Sequence, residues 1–240
     1  MENLYGFIDR YIKETFEIDK VLKDTDRGTV CKVRHRESHR RYICRRFMGP
    51  ADTFLALLDT SCAHLPRVYE AAQSEDRDGR TRSIVLEEYI QGDTLGLLLE
   101  HAPLTGSQVK NITLQICDGL YALHSLGLVH RDIKPDNVVI CGDHAVLIDF
   151  DAAARDDPNK EKDTRILGTV GYAPPEQYGI SRTDYRSDIY ALGVLINEML
   201  TGKHPSEQLA SGRWGRIVQR CTMIHPRKRY NSVHELMEAL

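Results

Sequence analysis

Three oxygen-bearing side chains flank two short apolar runs in HRDIKPDNVVICGDHAVLIDFD, residues 130–151. The runs VVI and AVLI predict two strands joined by the turn CGDH. Such a hairpin would bring Asn137, before the first strand, close to Asp149, after the second. Two oxygen ligands at one end of a hairpin suit a hard cation that also binds phosphate, and Asp132 and Lys134 are near enough in sequence to share the site. Asp and Asn are also common in turns, but a turn role for all of them together is the weaker interpretation.

The elements that must position these residues begin with strands. GTVCKVRHR and RRYICRRF alternate polar and apolar residues on either side of the polar turn ESH, which predicts an antiparallel hairpin. SIVLEEYI predicts a further strand that ends at Gly92, and a short helix is predicted after Pro50. The first ninety residues are therefore expected to be mainly β-structure.

Beyond Gly92 the pattern becomes helical. In SQVKNITLQICDGLYALHSLG the apolar residues recur at steps of three and four, which predicts a helix with Ser107 as its N-cap and Gly127 as its stop. DIYALGVLINEMLTG predicts a mostly buried helix that ends at Gly202, and SVHELMEAL predicts a last helix capped by Ser232. The order of elements predicts an α+β fold.

The composition limits the architecture and the class of partner. With 240 residues, 41% of them hydrophobic, the chain can form one large domain or two small lobes that share a cleft. We place a β-rich N-lobe at residues 1–88, and a hinge with a helical C-lobe at residues 89–240. The net charge of -3 gives no general attraction to nucleic acid or membrane. The basic hairpin between Arg27 and Arg46 contains Tyr42 as its one aromatic residue, so we interpret it as a solvated hairpin rather than a nucleic-acid site.

The compartment is also indicated by the sequence. No apolar run approaches the roughly 20 residues of a membrane helix, and the charged N-terminal segment lacks the apolar core of a signal peptide. The six cysteines form no CxxC pair, and the ten histidines show no ligand spacing. These patterns predict reduced thiols in a cytoplasmic protein without a Cys/His metal site.

The segments that could carry chemistry resemble those of a known family. HRDIKPDN resembles the catalytic loop of eukaryotic-type protein kinases, and DFD at residues 149–151 resembles their metal-binding DFG segment. Three further segments follow in the same order: GTVGYAPPEQ resembles the end of the activation segment, SDIYALG the helix that supports the catalytic loop, and HPRKRY the stretch whose arginine pairs with a glutamate. The resemblance covers nearly the whole chain, and YAPPEQYG is most similar to bacterial members.

This resemblance implies a bilobal kinase-like fold and transfer of the γ-phosphoryl group of ATP with Mg²⁺ or Mn²⁺. It implies that Asp132 orients the acceptor hydroxyl and takes its proton, and that Lys134 neutralises charge on the transferred group. Asn137 and Asp149 would hold the metal. Lys134 and Thr169 are typical of serine/threonine specificity.

Regulatory and supporting residues follow from the same resemblance. Arg131 would bind a phosphate on the activation segment. Thr164 is the candidate for that modification, because it is the only hydroxyl residue between Asp151 and Gly168. His130 is interpreted as a packed support under the metal-binding segment. Structural roles are implied for Glu176, Asp188 and Arg229.

The resemblance implies seven nucleotide-binding residues, namely Leu22, Gly28, Val30, Arg45, Glu88, Ile90 and Val139. Several positions near them depart from the family pattern. The glycine-rich loop G-x-G-x-x-G-x-V is here KDTDRGTV, so side chains stand where glycines would let backbone amides approach phosphate. Arg45 replaces the strand lysine and keeps the charge without the compact ammonium, and Ile43 replaces an alanine that leaves room for adenine.

Two further departures concern carboxylates. The helix glutamate that would pair with the strand lysine has no match, and Leu55 falls nearest to its position. Glu87, just before the hinge segment EYI, carries the hypothesis that it replaces this carboxylate and holds Arg45. At Asp151 the glycine of DFG is missing, but Asp tolerates a left-handed backbone, so this change need not abolish activity.

Three functions are compatible with these observations. An active serine/threonine protein kinase, acting on a protein substrate with attenuated nucleotide handling, is favoured because every catalytic-loop and metal position is present. A catalytically inactive pseudokinase that acts as a binding or scaffold module is the alternative, based on the changes around Arg45. A small-molecule kinase of the aminoglycoside type ranks last, since it gives no reason for GTVGYAPPEQ. The sequence leaves open the oligomeric state and whether the natural chain continues past Leu240.

Overall fold

Two units make up the chain in the computed structural model, which describes residues 3–76, 78–157, 169, 171–178 and 182–240. The first unit comprises the residues up to Ser61 together with Pro66–Ile90, and the second comprises Cys62–Leu65 with Gln91–Leu240. A β-sheet dominates the first unit and helices dominate the second, so the predicted α+β class is confirmed. Among the helices of the described residues, none has the length and apolar character required to span a membrane.

Five antiparallel strands form the sheet of the first unit, in the order β1-β2-β3-β5-β4. Their bounds are β1 Phe16–Thr25, β2 Gly28–His35, β3 Arg41–Met48, β4 Val68–Glu75 and β5 Thr81–Glu88. β2 and β3 form the hairpin that the alternation predicts. Between β3 and β5, Arg45 lies opposite Val85 and Ile43 lies opposite Glu87. Because side chains alternate between the faces of a strand, these four share one face of the sheet.

The other face is covered by a helix that the sequence did not predict, α1 Leu4–Thr15. The Asn3 side chain caps it by accepting a hydrogen bond from the Gly6 amide at 2.8 Å. Ile8 and Ile12, one turn apart, are buried in a cluster with sheet residues that include Ile84 and Leu86. The prediction of mainly β-structure missed α1, in which these two isoleucines are the only buried positions.

A short helix, α2 Asp52–Leu57, follows Pro50 as predicted. Its Phe54 ring lies 5.9 Å from the ring of Phe47 on β3. Phe47 is two residues beyond Arg45, so α2 packs against the same face of the sheet as Arg45. The first unit thus has a helix on each side of β3.

The second unit contains five helices in the described residues: α3 Leu95–Leu99, α4 Gly106–Ser125, α5 Tyr185–Thr201, α6 Gly212–Cys221 and α7 Val233–Ala239. α5 is mostly buried and ends at Gly202, whose φ of 68° is the left-handed value that glycine adopts at helix ends. Ser232 caps α7 by accepting from the Glu235 amide. Both helix ends agree with the prediction.

The start of α4 differs from the prediction, since Ser107 is not its N-cap. Thr105 occupies that position: its hydroxyl accepts from the Gln108 amide at 3.4 Å, and the Gln108 side chain accepts from the Thr105 amide at 2.9 Å. This reciprocal capping box satisfies two amides that would otherwise lack partners. Ser107 lacks a glutamine or glutamate three residues later, so it cannot form the same motif.

Short strands complete the second unit: β6 Asp93–Thr94, β7 Leu128–Val129, β8 Val138–Cys141, β9 His144–Leu147 and β10 Ala154–Arg155. β8 and β9 form the predicted hairpin, which pairs Val138 with Leu147. The His64 carbonyl accepts from the Leu147 amide at 3.0 Å, and His64 Nδ1 lies 2.9 Å from the Ala145 carbonyl. These bonds explain why Cys62–Leu65 belongs to this unit.

Candidate active site

Asp132 is the centre of a hydrogen-bonded group in the second unit. Lys134 Nζ donates to Asp132 Oδ2 at 2.8 Å and to Thr169 Oγ1 at 2.9 Å. The Thr169 hydroxyl donates in turn to Asp132 Oδ1 at 2.7 Å. Asn137 Nδ2 donates to Asp132 Oδ2 at 2.9 Å and to the Asp132 carbonyl at 2.8 Å. The structure thus brings together four of the residues that the sequence singled out.

The hydrogen bonds also set the protonation of the Asp132 carboxylate. Burial alone would raise the pKa of Asp132, but the bonds from Lys134 and Thr169, the Lys134 charge and the bond from Asn137 outweigh burial and leave the pKa below its ordinary value. Asp132 is therefore ionised at neutral pH. An ionised carboxylate can only accept hydrogen bonds, so Asp132 can accept one from a hydroxyl group.

The end of the β8–β9 hairpin positions the two expected metal ligands. The Ile148 amide donates to the Asn137 carbonyl at 2.8 Å, which extends the hairpin to the residue before Asp149. Both bonds that Asn137 makes to Asp132 use its amide nitrogen, so the Asn137 side-chain oxygen is left as its acceptor. An oriented amide oxygen and a carboxylate are ligands that suit Mg²⁺. The chemistry of these residues therefore fits the metal that the resemblance implies.

The backbone of Asp149 is unusual. Its φ is 67°, in the left-handed region that favours glycine, whereas Asp151 has no such φ. The Asp151 amide lies 3.4 Å from Asp149 Oδ1, a long hydrogen bond. Asp151 stands where the family pattern has glycine. Because the positive φ lies at Asp149 and not at Asp151, Asp151 does not need the backbone freedom of glycine. The replacement by Asp151 is therefore compatible with the geometry of the site, as the sequence suggested.

Asp188 on α5 holds the chain just before Asp132. Its two oxygens accept from the amides of His130 at 2.9 Å and Arg131 at 2.8 Å. His124 Nε2 lies 2.9 Å from Asp188 Oδ2. Burial would raise the pKa of Asp188, but the hydrogen bond and charge of His124 and the amide bond from Arg131 keep it below its ordinary value. The supporting role implied for Asp188 agrees with these contacts.

His130 is fully buried beneath the segment that follows β9. Its Nε2 lies 3.2 Å from the Ile148 carbonyl, and its ring meets the ring of Phe150 edge-on at 5.7 Å. Burial lowers the pKa of His130. The neutral imidazole therefore serves as packing support for the segment that leads to Asp149.

A buried ion pair joins two distant parts of the second unit. Arg229 Nη1 and Nη2 lie 2.5 Å and 3.0 Å from the two oxygens of Glu176, and the Ser187 hydroxyl donates to Glu176 Oε1 at 3.0 Å. The paired geometry is the bidentate form that Arg makes with carboxylates. The pairing expected for Glu176 and Arg229 is present.

Arg131 has a left-handed φ of 68° and is buried. Its carbonyl accepts from Gln177 Nε2 at 2.9 Å. Thr164, its proposed regulatory partner, lies outside the described residues. The regulatory roles of Arg131 and Thr164 therefore stay predictions.

The segment aligned with the glycine-rich loop is a tight hairpin in the first unit. β1 ends at Thr25 and β2 begins at Gly28, so only two residues form the turn. A Cβ at Gly28 would lie 2.2 Å from the Arg46 carbonyl oxygen on β3. Gly28 is thus required by the close approach of β2 to β3, which is a packing reason for the surviving glycine.

Arg45 and Glu87 form an ion pair on the α2-facing side of the sheet. Arg45 Nε donates to Glu87 Oε1 at 2.6 Å, and the side chains are 9% and 4% exposed. The contact required by the Glu87 hypothesis is therefore present. Leu55, which falls nearest to the missing helix glutamate, is exposed on α2.

The remaining predicted nucleotide-binding residues lie apart in the sequence. Leu22 is exposed on β1, Val30 is half-buried on β2, and Val139 is buried in β8 of the second unit. Two others lie at the end of the first unit: Glu88, whose Oε2 accepts from the Arg67 amide at 3.2 Å, and Ile90, which is half-buried. Their contact with nucleotide stays a prediction.

Several supporting residues were missed by the sequence reasoning. His124, Gln177 and Ser187 each bond to a predicted residue but belong to no predicted motif role. Tyr172, three residues beyond Thr169, donates a hydrogen bond to Glu198 on α5. Tyr172 and Gln177 lie inside the segment GTVGYAPPEQ and Ser187 begins the segment SDIYALG, so these three carried a sequence signal, whereas His124 lies in neither segment.

Comparisons with known proteins agree with this geometry. The model of the protein kinase domain family matches residues 24–238. The serine/threonine-protein kinase PknA of Nostoc sp. is 30% identical over 95% of this chain and 44% of its own length. Serine/threonine-protein kinase A of Synechocystis sp. is 32% identical over 78% of this chain and 38% of its own length. PknL of Mycobacterium tuberculosis is 40% identical over 58% of this chain and 35% of its own length.

The chain thus spans less than half the length of these curated relatives. All three carry the name of a serine/threonine-protein kinase and come from bacteria, as the resemblance predicted. The family model extends over most of both units. The chain belongs to the protein kinase domain family.

Proposed function

We propose that this chain is a serine/threonine protein kinase that transfers the γ-phosphoryl group of ATP to hydroxyl groups of protein substrates. The observation that carries this proposal is the hydrogen-bonded group of Asp132, Lys134, Asn137 and Thr169. The three named relatives, all serine/threonine-protein kinases, support the same substrate class.

The bonds to Asp132 indicate where the acceptor hydroxyl binds. Among the described residues, Oδ2 accepts from Lys134 and Asn137, whereas Oδ1 accepts from Thr169. A carboxylate oxygen has two lone pairs, so one position on Oδ1 can take the serine or threonine hydroxyl. That hydrogen bond turns the hydroxyl oxygen toward the γ-phosphorus.

Transfer forms a bond between the hydroxyl oxygen and the γ-phosphorus, and breaks the bond between the γ-phosphorus and the β–γ bridging oxygen. The hydroxyl proton passes to Asp132. Because its pKa is held low, Asp132 is a weak base and accepts this proton only as the oxygen–phosphorus bond forms. Its main contribution is therefore orientation, and Lys134 supplies positive charge near the transferred group.

The metal ligands in this proposal are Asn137 and Asp149. Bound Mg²⁺ or Mn²⁺ would neutralise charge on the phosphates of ATP. The chain's part is to hold two oxygens at the end of the β8–β9 hairpin, where Asn137 is oriented by Asp132. Leu22, Gly28, Val30, Arg45, Glu88, Ile90 and Val139 are the proposed nucleotide-binding residues.

Regulation and location extend the proposal. Phosphorylated Thr164 is the proposed partner of Arg131. All six cysteines, each within the described residues, are free thiols. Four of them are buried, and free thiols support a reducing compartment, so we place the protein in the cytoplasm.

The test is phosphoryl transfer from γ-labelled ATP with Mg²⁺ or Mn²⁺, with mass spectrometry of the product. We expect Asp132→Asn to lower the rate by about 10²–10⁴-fold. Asp136→Asn is the matched control, because Asp136 is exposed in the same loop and makes no bond to Asp132. Label on a protein serine or threonine in wild type, lost only in Asp132→Asn, is the expected result.

A pseudokinase is the alternative, and the two-residue turn before Gly28 is the observation that favours it. Wild-type protein that binds nucleotide but transfers no label under either metal would establish that alternative. The kinase proposal would then be wrong.

A further inference from the structure

Gly171 lies two residues beyond Thr169, and its φ of 95° is in the left-handed region. Glycine has more backbone freedom than any other residue, so its carbonyl takes a fixed direction only when a neighbour binds it. The Thr169 carbonyl accepts from the amides of Tyr172 at 3.0 Å and Ala173 at 3.1 Å. We call Thr169 with Gly171–Ala173 the Thr169 turn. Because these bonds close the turn, fixing the Gly171 carbonyl also restricts Thr169, whose hydroxyl donates to Asp132.

His204, in the loop between α5 and α6, binds that carbonyl. Its Nε2 lies 2.9 Å from the Gly171 carbonyl oxygen. Its Nδ1 lies 3.2 Å from the Ser206 amide nitrogen and 2.7 Å from the Ser206 hydroxyl oxygen. An amide N–H can only donate, and a carbonyl can only accept. The neutral imidazole with its proton on Nε2 satisfies both contacts, so His204 donates to Gly171.

The loop that carries His204 is held by a buried side chain of α5. Asn197 Nδ2 donates to the carbonyls of Lys203 and Gln208, both at 2.8 Å. Asn197 Oδ1 accepts from the Ala210 amide at 2.8 Å, and Asn197 is fully buried. These bonds lie on both sides of His204 along the loop, so its imidazole extends from a fixed backbone.

Stability of the fold gives a weak reason for the bond between His204 and Gly171. His204 is half-buried and Gly171 is exposed, and changes at surface positions usually alter stability little. Tyr172 already attaches the Thr169 turn to α5 through its bond to Glu198. A second attachment of the same turn is better explained by what the turn positions.

We infer that His204 is a positioning residue for the acceptor hydroxyl of the substrate. Its bond fixes the Gly171 carbonyl, so the Thr169 hydroxyl stays on Asp132 Oδ1 and leaves the second position of that oxygen to the acceptor. Without this bond the turn is loose, and acceptor binding must order it, which weakens that binding. The inference rests on the proposed phosphoryl transfer and adds to it a residue from outside the catalytic motifs.

Initial rates with γ-labelled ATP and myelin basic protein as the acceptor test the inference through two variants of similar size. His204→Leu removes the donor, whereas His204→Gln keeps an N–H at about the place of Nε2. We expect His204→Leu to lower kcat/KM for the acceptor by about three- to tenfold, the worth of one hydrogen bond, mainly through a higher acceptor KM. His204→Gln should stay within about twofold of wild type. The KM for ATP should be the same in all three proteins.

Two controls make the result specific. A loss of folded protein lowers kcat and leaves both KM values unchanged, so the difference between the acceptor KM and the ATP KM separates positioning from stability. His101→Leu, at an exposed histidine of the same unit, is the matched control and should resemble wild type. In a Thr169→Val background, His204→Leu should lower kcat/KM by less than about twofold, because the hydroxyl through which His204 acts is absent.

Hydrogen exchange of the Tyr172 and Ala173 amides reports on the Thr169 turn without catalysis, since both amides donate to the Thr169 carbonyl. We expect faster exchange of these amides in His204→Leu than in wild type. In His204→Gln the exchange should be close to that of wild type, because the donor to Gly171 is kept.

The inference is overturned if His204→Leu has the acceptor KM of wild type, if His204→Gln is as impaired as His204→Leu, or if the effects of His204→Leu and Thr169→Val are additive. Unchanged exchange in His204→Leu overturns it as well. Wild type that transfers no phosphoryl group would disprove the proposed activity, and the exchange result would then decide alone whether His204 holds the turn.

Discussion

The two units place their charged groups in different ways. In the second unit, Asp132, Lys134 and Asn137 lie within six consecutive residues and bond to one another, and Thr169 closes the group. In the first unit, Arg45 and Glu87 are separated by 42 positions in the sequence and meet because β3 and β5 are paired. The first arrangement depends on residue identity at fixed spacing. The second depends on register, so it can be formed by residues that match no motif.

This difference explains why the departures from the family pattern collect in the first unit. In the catalytic loop, Lys134 and Asn137 both bond to Asp132 from fixed positions in the sequence, so their places depend on that spacing. On a sheet face, any side chain on the correct strand and face can approach the same point. Four substitutions test this contrast between the two units.

The largest effect is expected from Asp188→Ala. This change leaves the buried amides of His130 and Arg131 without their acceptor, and we expect it to lower the free energy of unfolding by about 3 kcal/mol or more. Urea unfolding measures the change. Asp118→Ala, at an exposed position on α4, is the control and should stay within about 0.5 kcal/mol of wild type. Equal stability of both variants would show that the catalytic loop does not depend on this buried carboxylate.

A smaller effect is expected from Thr169→Val, which removes the hydroxyl between Asp132 and Lys134. The variant loses the hydrogen bonds of this hydroxyl to two charged groups, which are worth about 1.5–3 kcal/mol. If that energy stabilises the transition state, the turnover rate falls by one to two orders of magnitude. Initial-rate measurement at saturating ATP tests this. Thr169→Ser keeps the hydroxyl and should recover most of the rate. If Thr169→Ser is as slow as Thr169→Val, the hydroxyl is not what matters.

Gly28→Ala tests the packing explanation in the first unit. The new Cβ would meet the Arg46 carbonyl, so we expect a loss of stability about 1–3 kcal/mol larger than for Gly49→Ala. Gly49 is the control because its φ of 117° is also positive but open space surrounds its Cβ position. Thermal unfolding compares them. A Gly28→Ala protein of normal stability that binds the ATP analogue AMP-PNP poorly would instead make Gly28 a phosphate-loop residue.

The smallest effect concerns the proton on His130. Burial lowers the pKa of His130 in the folded state, so the unfolded chain binds a proton more readily. Stability from this residue is therefore present above the unfolded pKa of about 6.5 and is lost as the pH falls below it. One proton limits the slope to about 1.4 kcal/mol per pH unit.

Urea unfolding at a series of pH values from 7.5 to 5.5 measures this slope. The slope should correspond to uptake of about one proton or less when the chain unfolds. His130→Phe keeps an aromatic ring and cannot titrate, so its slope should be shallower than that of wild type. Identical slopes in the two proteins would mean that His130 is not the group that takes up the proton.

The sequence predicted the parts of the site that depend on local spacing. Asn137 and Asp149 could be placed at one end of a hairpin because apolar runs flank the turn between them. The contact of Glu87 with Arg45 could only be a hypothesis, since it requires the β3–β5 register. The N-cap of α4 was misplaced by two positions because Thr105 and Ser107 are both good caps, and the Gln108 side chain decides between them.

Helix α1 shows a second limit on what the sequence alone can predict. Its stripe of buried residues is short, and its position is confirmed by partners far along the chain, such as Ser74, which accepts from Asn3 at 2.7 Å. The Asp9 carboxylate likewise accepts from Arg46 Nε on β3 at 3.0 Å. These contacts stabilise a helix that its own sequence indicates weakly, as tertiary packing often does.

The left-handed backbone at Arg131 and Asp149 has a consequence for protein engineering. A non-glycine residue in this region costs about 1–2 kcal/mol. Arg131 lies near the start of the catalytic loop, and Asp149 follows the β8–β9 hairpin. Sequence optimisation for thermal stability would favour glycine at both places, yet each carries a charged group with a proposed role. Stabilising substitutions for this domain should therefore be sought in the cores of the two units, where they leave the Arg131 and Asp149 side chains unchanged.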